Sequence, residues 1–108
     1  MTNALYGVQV SSRTAYTTPT HTVVTVGALS TTVLAASASR CYLLLVNDSD
    51  ETVYVALGAA AALNSGIRLN AGGGSYEMSA MLGNLYAGAI KAICTSGSKK
   101  LLVTEGVA

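Results

Sequence analysis

Apolar and polar positions alternate in short runs along this chain, and the runs predict strands. Thr22–Val26 and Thr31–Ala35 are β-branched or apolar segments closed by breakers. Arg40–Asn47, reading RCYLLLVN, is apolar on both faces, the mark of a central strand. The cluster NDSDE follows, rich in side chains that bond their own backbone. Thr52–Leu57 then alternates, so the two runs are expected to form a hairpin across that short loop. Residues 59–63 (AAAAL) lack a continuing helical face and read as a loop or a single short turn. Ile67 and Leu69 share one face of a short strand, and AGGG at 71–74 makes a turn into a strand over Ser75–Met78. Residues 84–94 predict one or two strands interrupted or bulged at Gly88. Ser96–Ser98 is a turn, and Lys99–Glu105 is the last strand.

Breakers recurring every 8–12 residues or so, with no long helical period, indicate an all-β fold. The expectation is a single antiparallel β-sandwich, jelly-roll or Ig-like, of about eight short strands over residues 22–108. Residues 1–21 differ. They are rich in Thr and Ser, contain Pro19, and alternate only weakly over Leu5–Val10, which reads as an extended N-terminal arm.

Composition narrows the function. Hydrophobic residues make up 51% of the 108 and charged residues only 10%, which excludes a disordered chain. Six Lys+Arg against five Asp+Glu give a net charge of +1, so no basic excess exists for binding phosphate backbones, and no nucleic-acid partner is expected. The apolar runs fall far short of the roughly 18 residues of a spanning helix, and no membrane partner is expected. The start has neither the basic nor the apolar region of a secretory signal, so synthesis in a cytoplasm is expected. Cys41 and Cys94 are accordingly expected to be reduced and buried. With no Trp or Phe, the six Tyr are the only aromatics, so bulky core material is scarce.

No reactive constellation emerges. His21 is the lone histidine, with no neighbouring nucleophile or orienting carboxylate in the sequence, so no catalytic residue is assigned. One His and no CxxC supply too few zinc ligands. Asp48, Asp50 and Glu51 crowd one loop but lack the EF-hand pattern, and a solvated turn is preferred. The glycines at 72–74 lead into SYEM rather than the GK[ST] of a phosphate loop. No metal or cofactor is therefore expected. Arg40 and Arg68 sit among apolar residues, and one of them is expected to pair with an acid such as Glu77 or Glu105. Low charge on a small domain points to a surface covered by other protein.

The stretch TVVTVGALSTTVLAASASRCYLLLVNDSDETVYVALG resembles a β-domain that recurs in tailed-bacteriophage virion proteins. GIRLNAGGGSYEM and the closing LYAGAIKAIC…LLVTEG fit the same pattern, so the resemblance covers about residues 22–106. It implies a small, non-enzymatic virion structural protein, most readily a head decoration or cement protein on the capsid surface, with the major capsid protein as partner. A tail, neck or fibre component with a host-recognition or adaptor role is the alternative, using Tyr76, Tyr86 and the 59–65 loop. A homo-oligomer, a trimer suited to a three-fold site, is expected. The arm would make the contacts through Leu5, Tyr6, Val8, Val10, Arg13 and Tyr16.

Overall fold

A computed structural model describes residues 15–108. Among them are eight strands and no helix: β1 (Thr18–Val26), β2 (Thr31–Leu34), β3 (Arg40–Asn47), β4 (Val53–Leu57), β5 (Ile67–Leu69), β6 (Ser75–Ser79), β7 (Ile90–Cys94) and β8 (Lys99–Val107). They form two four-stranded antiparallel sheets, A in the order β1-β8-β3-β6 and B in the order β2-β7-β4-β5. The pairings are nested. β1 pairs with β8, β2 with β7, β3 with β6 and β4 with β5, as if one long hairpin had been rolled up. Two further ladders, β3 with β8 and β4 with β7, close the roll. This is the strand order of an eight-stranded jelly roll, and it decides between the two sandwich types that the sequence left open.

The core lies between the inner faces. Leu43, Leu45, Met78, Leu101 and Val103 from sheet A meet Val53, Val55, Leu69, Ile90 and Cys94 from sheet B, all nearly or wholly buried. The burial of β3, alternating buried and half-buried from Tyr42 to Asn47, is the period-2 signature of a strand whose outer face is also apolar.

Two expectations change and one open alternative is decided. The expected hairpin between the third and fourth runs does not form: β3 lies in sheet A and β4 in sheet B. Both sides of β3 are taken by β8 and β6, so residues 48–52 carry the chain across the roughly 10 Å between sheets instead of turning it back within one. The arm is shorter than composition suggests, because Thr18–His21 are already strand, in register with Thr104–Val107. Pro19 fits there because β1 is an edge strand, where a missing N–H breaks no ladder. Finally, 84–94 yields one strand, not two. Ahead of β7 the carbonyls of Tyr86, Ala87, Gly88 and Ala89 are engaged by Arg40, Ser37 and Gly58 rather than by a neighbouring strand.

Two polar residues are buried among the described residues, Arg40 and Asn47, and they stand at opposite ends of β3. Arg40 Nε donates to Glu105 Oε2 at 2.8 Å. Its two terminal nitrogens donate to the carbonyls of Tyr86, Gly88 and Ala35 at 2.8–3.0 Å. The planar fork thus ties the β2–β3 and β6–β7 connections to β8. At the other end, Asn47 Nδ2 donates to the carbonyls of Glu51, Leu69 and Asn70, and its Oδ1 accepts from Ser49 Oγ at 2.6 Å. The glycine turn closes on the same residue: Gly73 N–H donates to the Asn47 carbonyl. Gly72 and Gly73 hold positive φ there, which is why the run is glycine.

Of these two arginines, it is therefore Arg40 that pairs with Glu105, while Arg68 Nε donates to Asn70 Oδ1 and, among the described residues, meets no acid. Replacing Arg40 by Met is expected to cost about 3–5 kcal/mol, because Glu105 and three carbonyls lose a buried partner. Arg40→Lys is also expected to be clearly destabilising, since one ammonium cannot fork to four acceptors. Urea unfolding of both variants measures this. A loss below about 1 kcal/mol for Arg40→Met would show the ends closing without the guanidinium.

Candidate functional site: the outer face of sheet A

The outer faces of the two sheets are treated differently. Over sheet B, the β4–β5 connection, residues 58–66, folds back. The Ala61 N–H donates to Ser30 Oγ beside β2, and Tyr54 Oη donates to Asn64 Oδ1. Between those points Ile93, which faces outward opposite Tyr54, is buried. Among the described residues, no connection between strands crosses sheet A, and only Ala15–Thr17, ahead of β1, lie across its end.

Register places three rows of side chains on that outer face. Pro19, Gly106, Tyr42 and Ser79 form the first, and His21, Thr104, Leu44 and Glu77 the second. Val23, Leu102, Val46 and Ser75 form the third. Val23 is 59% exposed and Leu102 36%, while Tyr42, Leu44 and Val46 are half-buried. A shallow depression of about 210 Å³ lies between β1 and β8, lined by His21, Thr22, Val23, Leu102, Val103 and Thr104. A β3 that is apolar on both faces is the sequence signal for this stripe: one face serves the core and the other is left over.

Tyr16 covers the first row. Its ring stacks against Tyr42 with centroids 5.6 Å apart and lies over Gly106. A Cβ on Gly106 would run into the Tyr16 ring, so the close approach needs glycine. The Ala15 carbonyl sits 3.5 Å from the Cys41 thiol at the start of β3. The chain therefore crosses sheet A from β1 over β8 toward β3 as it is followed back to residue 15. Of the expected contact residues, Tyr16 is thus on the sheet A surface. Leu5, Tyr6, Val8, Val10 and Arg13 lie outside the described residues.

The polar groups around the stripe are engaged. His21 Nδ1 and Thr104 Oγ1 are 3.0 Å apart, both exposed. Tyr42 Oη donates to Glu77 Oε2 at 2.6 Å, and that bond, with burial and the carboxylate charge, pushes the Tyr42 pKa up to about 12. The acidic loop is likewise occupied by protein donors. Glu51 accepts from Ser96 N–H and Oγ, which hold its carboxyl below the usual range, and Lys99 does the same for Asp50. Burial raises the Cys94 thiol, and both cysteines are free and buried, in separate sheets. Tyr86 is half-buried with its hydroxyl against Gly58 and Gly88, and Tyr76 Oη accepts from Asn84. No helix of the described residues is long and apolar enough to cross a membrane.

Comparison of the chain with protein families, with curated proteins and with solved structures returned no match.

Two measurements probe this surface. Tyr42 is expected to ionise near pH 12 in an ultraviolet titration, and Glu77→Gln to bring it down toward the ordinary tyrosine value. Because the folded value is the higher one, the hydrogen bond's contribution to stability is complete below about pH 10. It is lost as pH rises from there through about 12. A tyrosine set that titrates uniformly near pH 10 would contradict the bond. Gly106→Ala is expected to lift Tyr16 off Tyr42 at a cost of about 1 kcal/mol or less, because the displaced ring is already 41% exposed. Changed aromatic shifts for Tyr16 and Tyr42, with near-native thermal stability, is the signature to look for.

Proposed function

We propose that this chain is a non-enzymatic structural protein of a tailed-bacteriophage virion, a decoration or cement protein that binds the outer head surface and stabilises the lattice. The observation that carries the reading is the uncovered apolar stripe of sheet A, which begins where the N-terminal arm joins the sandwich. A domain that seals one sheet with its own loop and leaves the other open presents a surface for protein. The sequence resemblance to virion β-domains points the same way. The jelly roll is also a fold of viral capsid domains, which supports the reading by analogy only.

The mechanism follows from geometry. The rolled sandwich is the rigid body. The arm, residues 1–17, supplies an extended segment to a capsid subunit or to a neighbouring copy, by strand addition or by apolar docking. Each contact is modest, but copies on a repeating lattice raise one another's effective concentration, and ligation of the assembled state stabilises it by mass action. A trimer matches a three-fold site.

The test is fractionation of the phage particles that carry this chain. Tailless heads are expected to contain it at lattice stoichiometry, and a chain without residues 1–14 is expected to keep its β circular dichroism and lose binding to empty shells. All eight strands lie downstream of that cut. Recovery in the tail fraction alone would replace the head reading by the tail or adaptor one.

A further inference from the structure

The turn after β6, residues 80–83, carries two neighbouring apolar side chains in solvent, Met81 at 75% and Leu82 at 60% exposure. Their exposure is built in, because the turn is braced. Leu82 N–H donates to Ser79 Oγ, Gly83 N–H to the carbonyls of Ser79 and Ala80, and Ser79 N–H to Asn84 Oδ1. Gly83 takes the positive φ that closes the turn. A turn held in this way presents the pair with little left to order at the moment of contact.

The described start of the chain points at this turn. Followed backwards, Thr17 N–H bonds the Val107 carbonyl of β8, Tyr16 lies over Gly106 and against Tyr42, and the Ala15 carbonyl meets the Cys41 thiol of β3. The chain has thus stepped from β8 to β3 across the outer face of its own sheet, and the next strand in that direction is β6. Cys41 joins the two: its carbonyl accepts from the N–H of Ala80, where the turn begins. Phase agrees with direction. Tyr16 sets its ring on the sheet, so in an extended continuation every second residue before it takes the same side. Those residues include Thr14, Ser12, Val10 and Val8, while Arg13, Ser11 and Gln9 fall on the side facing away. Reach is ample. The five residues from Ala15 back to Val10 span up to about 17 Å, against roughly 5 Å from one strand to the next.

We infer that Met81 and Leu82 are the seat of the chain's own N-terminal segment: residues 8–14 continue across the end of sheet A, and Val8 and Val10 pack on the turn. The contact is made within one molecule, because Ala15–Thr17 already lie on that molecule's own sheet. Nothing in this contact depends on the head reading, which it extends by leaving residues 1–7, with Leu5 and Tyr6, as the part of the arm that reaches a partner.

Trypsin reads the contact through Arg13, since cleavage of a docked segment tracks the population of its open form. Cleavage after Arg13 in the full-length chain is expected to be slow. Met81→Ser with Leu82→Ser, on the turn, and Val8→Ser with Val10→Ser, on the segment, are each expected to speed it about tenfold or more. Combining all four is expected to add little, because both pairs of changes remove the same contact. Leu29→Ser, at an exposed leucine of the β1–β2 connection at the opposite end of the sandwich, is expected to leave the rate unchanged. Far-UV circular dichroism checks that the variants remain folded. Wild-type chain cut as fast as the Val8→Ser, Val10→Ser chain overturns the inference, as does a turn variant cut at the wild-type rate. Cleavage that slows as protein concentration rises would assign the cover to a second copy and equally overturns it. No shell enters the experiment, so its failure leaves the head reading standing.

Discussion

The fold depends on one strand, β3, and on the polar residue at each of its ends. A sandwich this small, without Trp or Phe, is filled by Val, Leu, Ile, Met and Ala. Such a core leaves its two open ends poorly plugged, and loop carbonyls are drawn into partly dry surroundings there. Arg40 answers this at one end with donors for three carbonyls and a carboxylate, and Asn47 at the other with an amide NH2 whose two hydrogens three carbonyls share. Between them, Leu43 and Leu45 hold the centre of the core. The same strand thus locates the core, closes both ends and, through Tyr42, Leu44 and Val46, supplies much of the outer apolar stripe.

The rolled topology explains why the two outer faces differ. In the nested pairing, successive connections cross the ends of the roll, and the β4–β5 connection, residues 58–66, has slack to lie back over sheet B. Its anchors are a backbone bond to Ser30 and the Tyr54–Asn64 pair. The connections beside sheet A are held at the ends instead. Asn47, Ser49 and Glu51 draw the 48–52 and 70–74 turns inward, and Arg40 ties down the segment ahead of β7. The apolar surface of sheet A is therefore a consequence of where the slack falls in the chain. It is a face that the described residues cover only at its Tyr16 end.

Several of these features were legible in the residues. Alternation and breakers located the strands: Arg40–Asn47 agrees residue for residue with β3, and 31–35, 52–57 and 75–78 agree with β2, β4 and β6 to within a residue. The turns at 71–74 and 96–98 follow from glycine and small polar residues, whose conformational preference is local. An arginine among apolar neighbours announced a buried pair, and Glu105 was one of two acids in view. Register with β8 made the choice, because Glu105 points inward on the strand next to Arg40, whereas Glu77 points outward beside Tyr42.

What local signals left open is who pairs with whom. The run NDSDE between two strands reads as a hairpin, yet the same turn chemistry serves a crossing between sheets. The difference lies in β8 and β6, distant in sequence, taking both sides of β3. The choice between one strand and two over residues 84–94 was settled in the same way, by Arg40 claiming the carbonyls of Tyr86 and Gly88 before a ladder could. The bare face of sheet A, the seat of Tyr16 on Gly106 and the jelly-roll order exist only once strands far apart in the chain lie side by side. That these segments are strands was written into the residues, since φ/ψ preference and side-chain alternation act over a few positions. Their neighbours, and the surface left exposed, were set by the folded chain alone, since both depend on long-range pairing and burial.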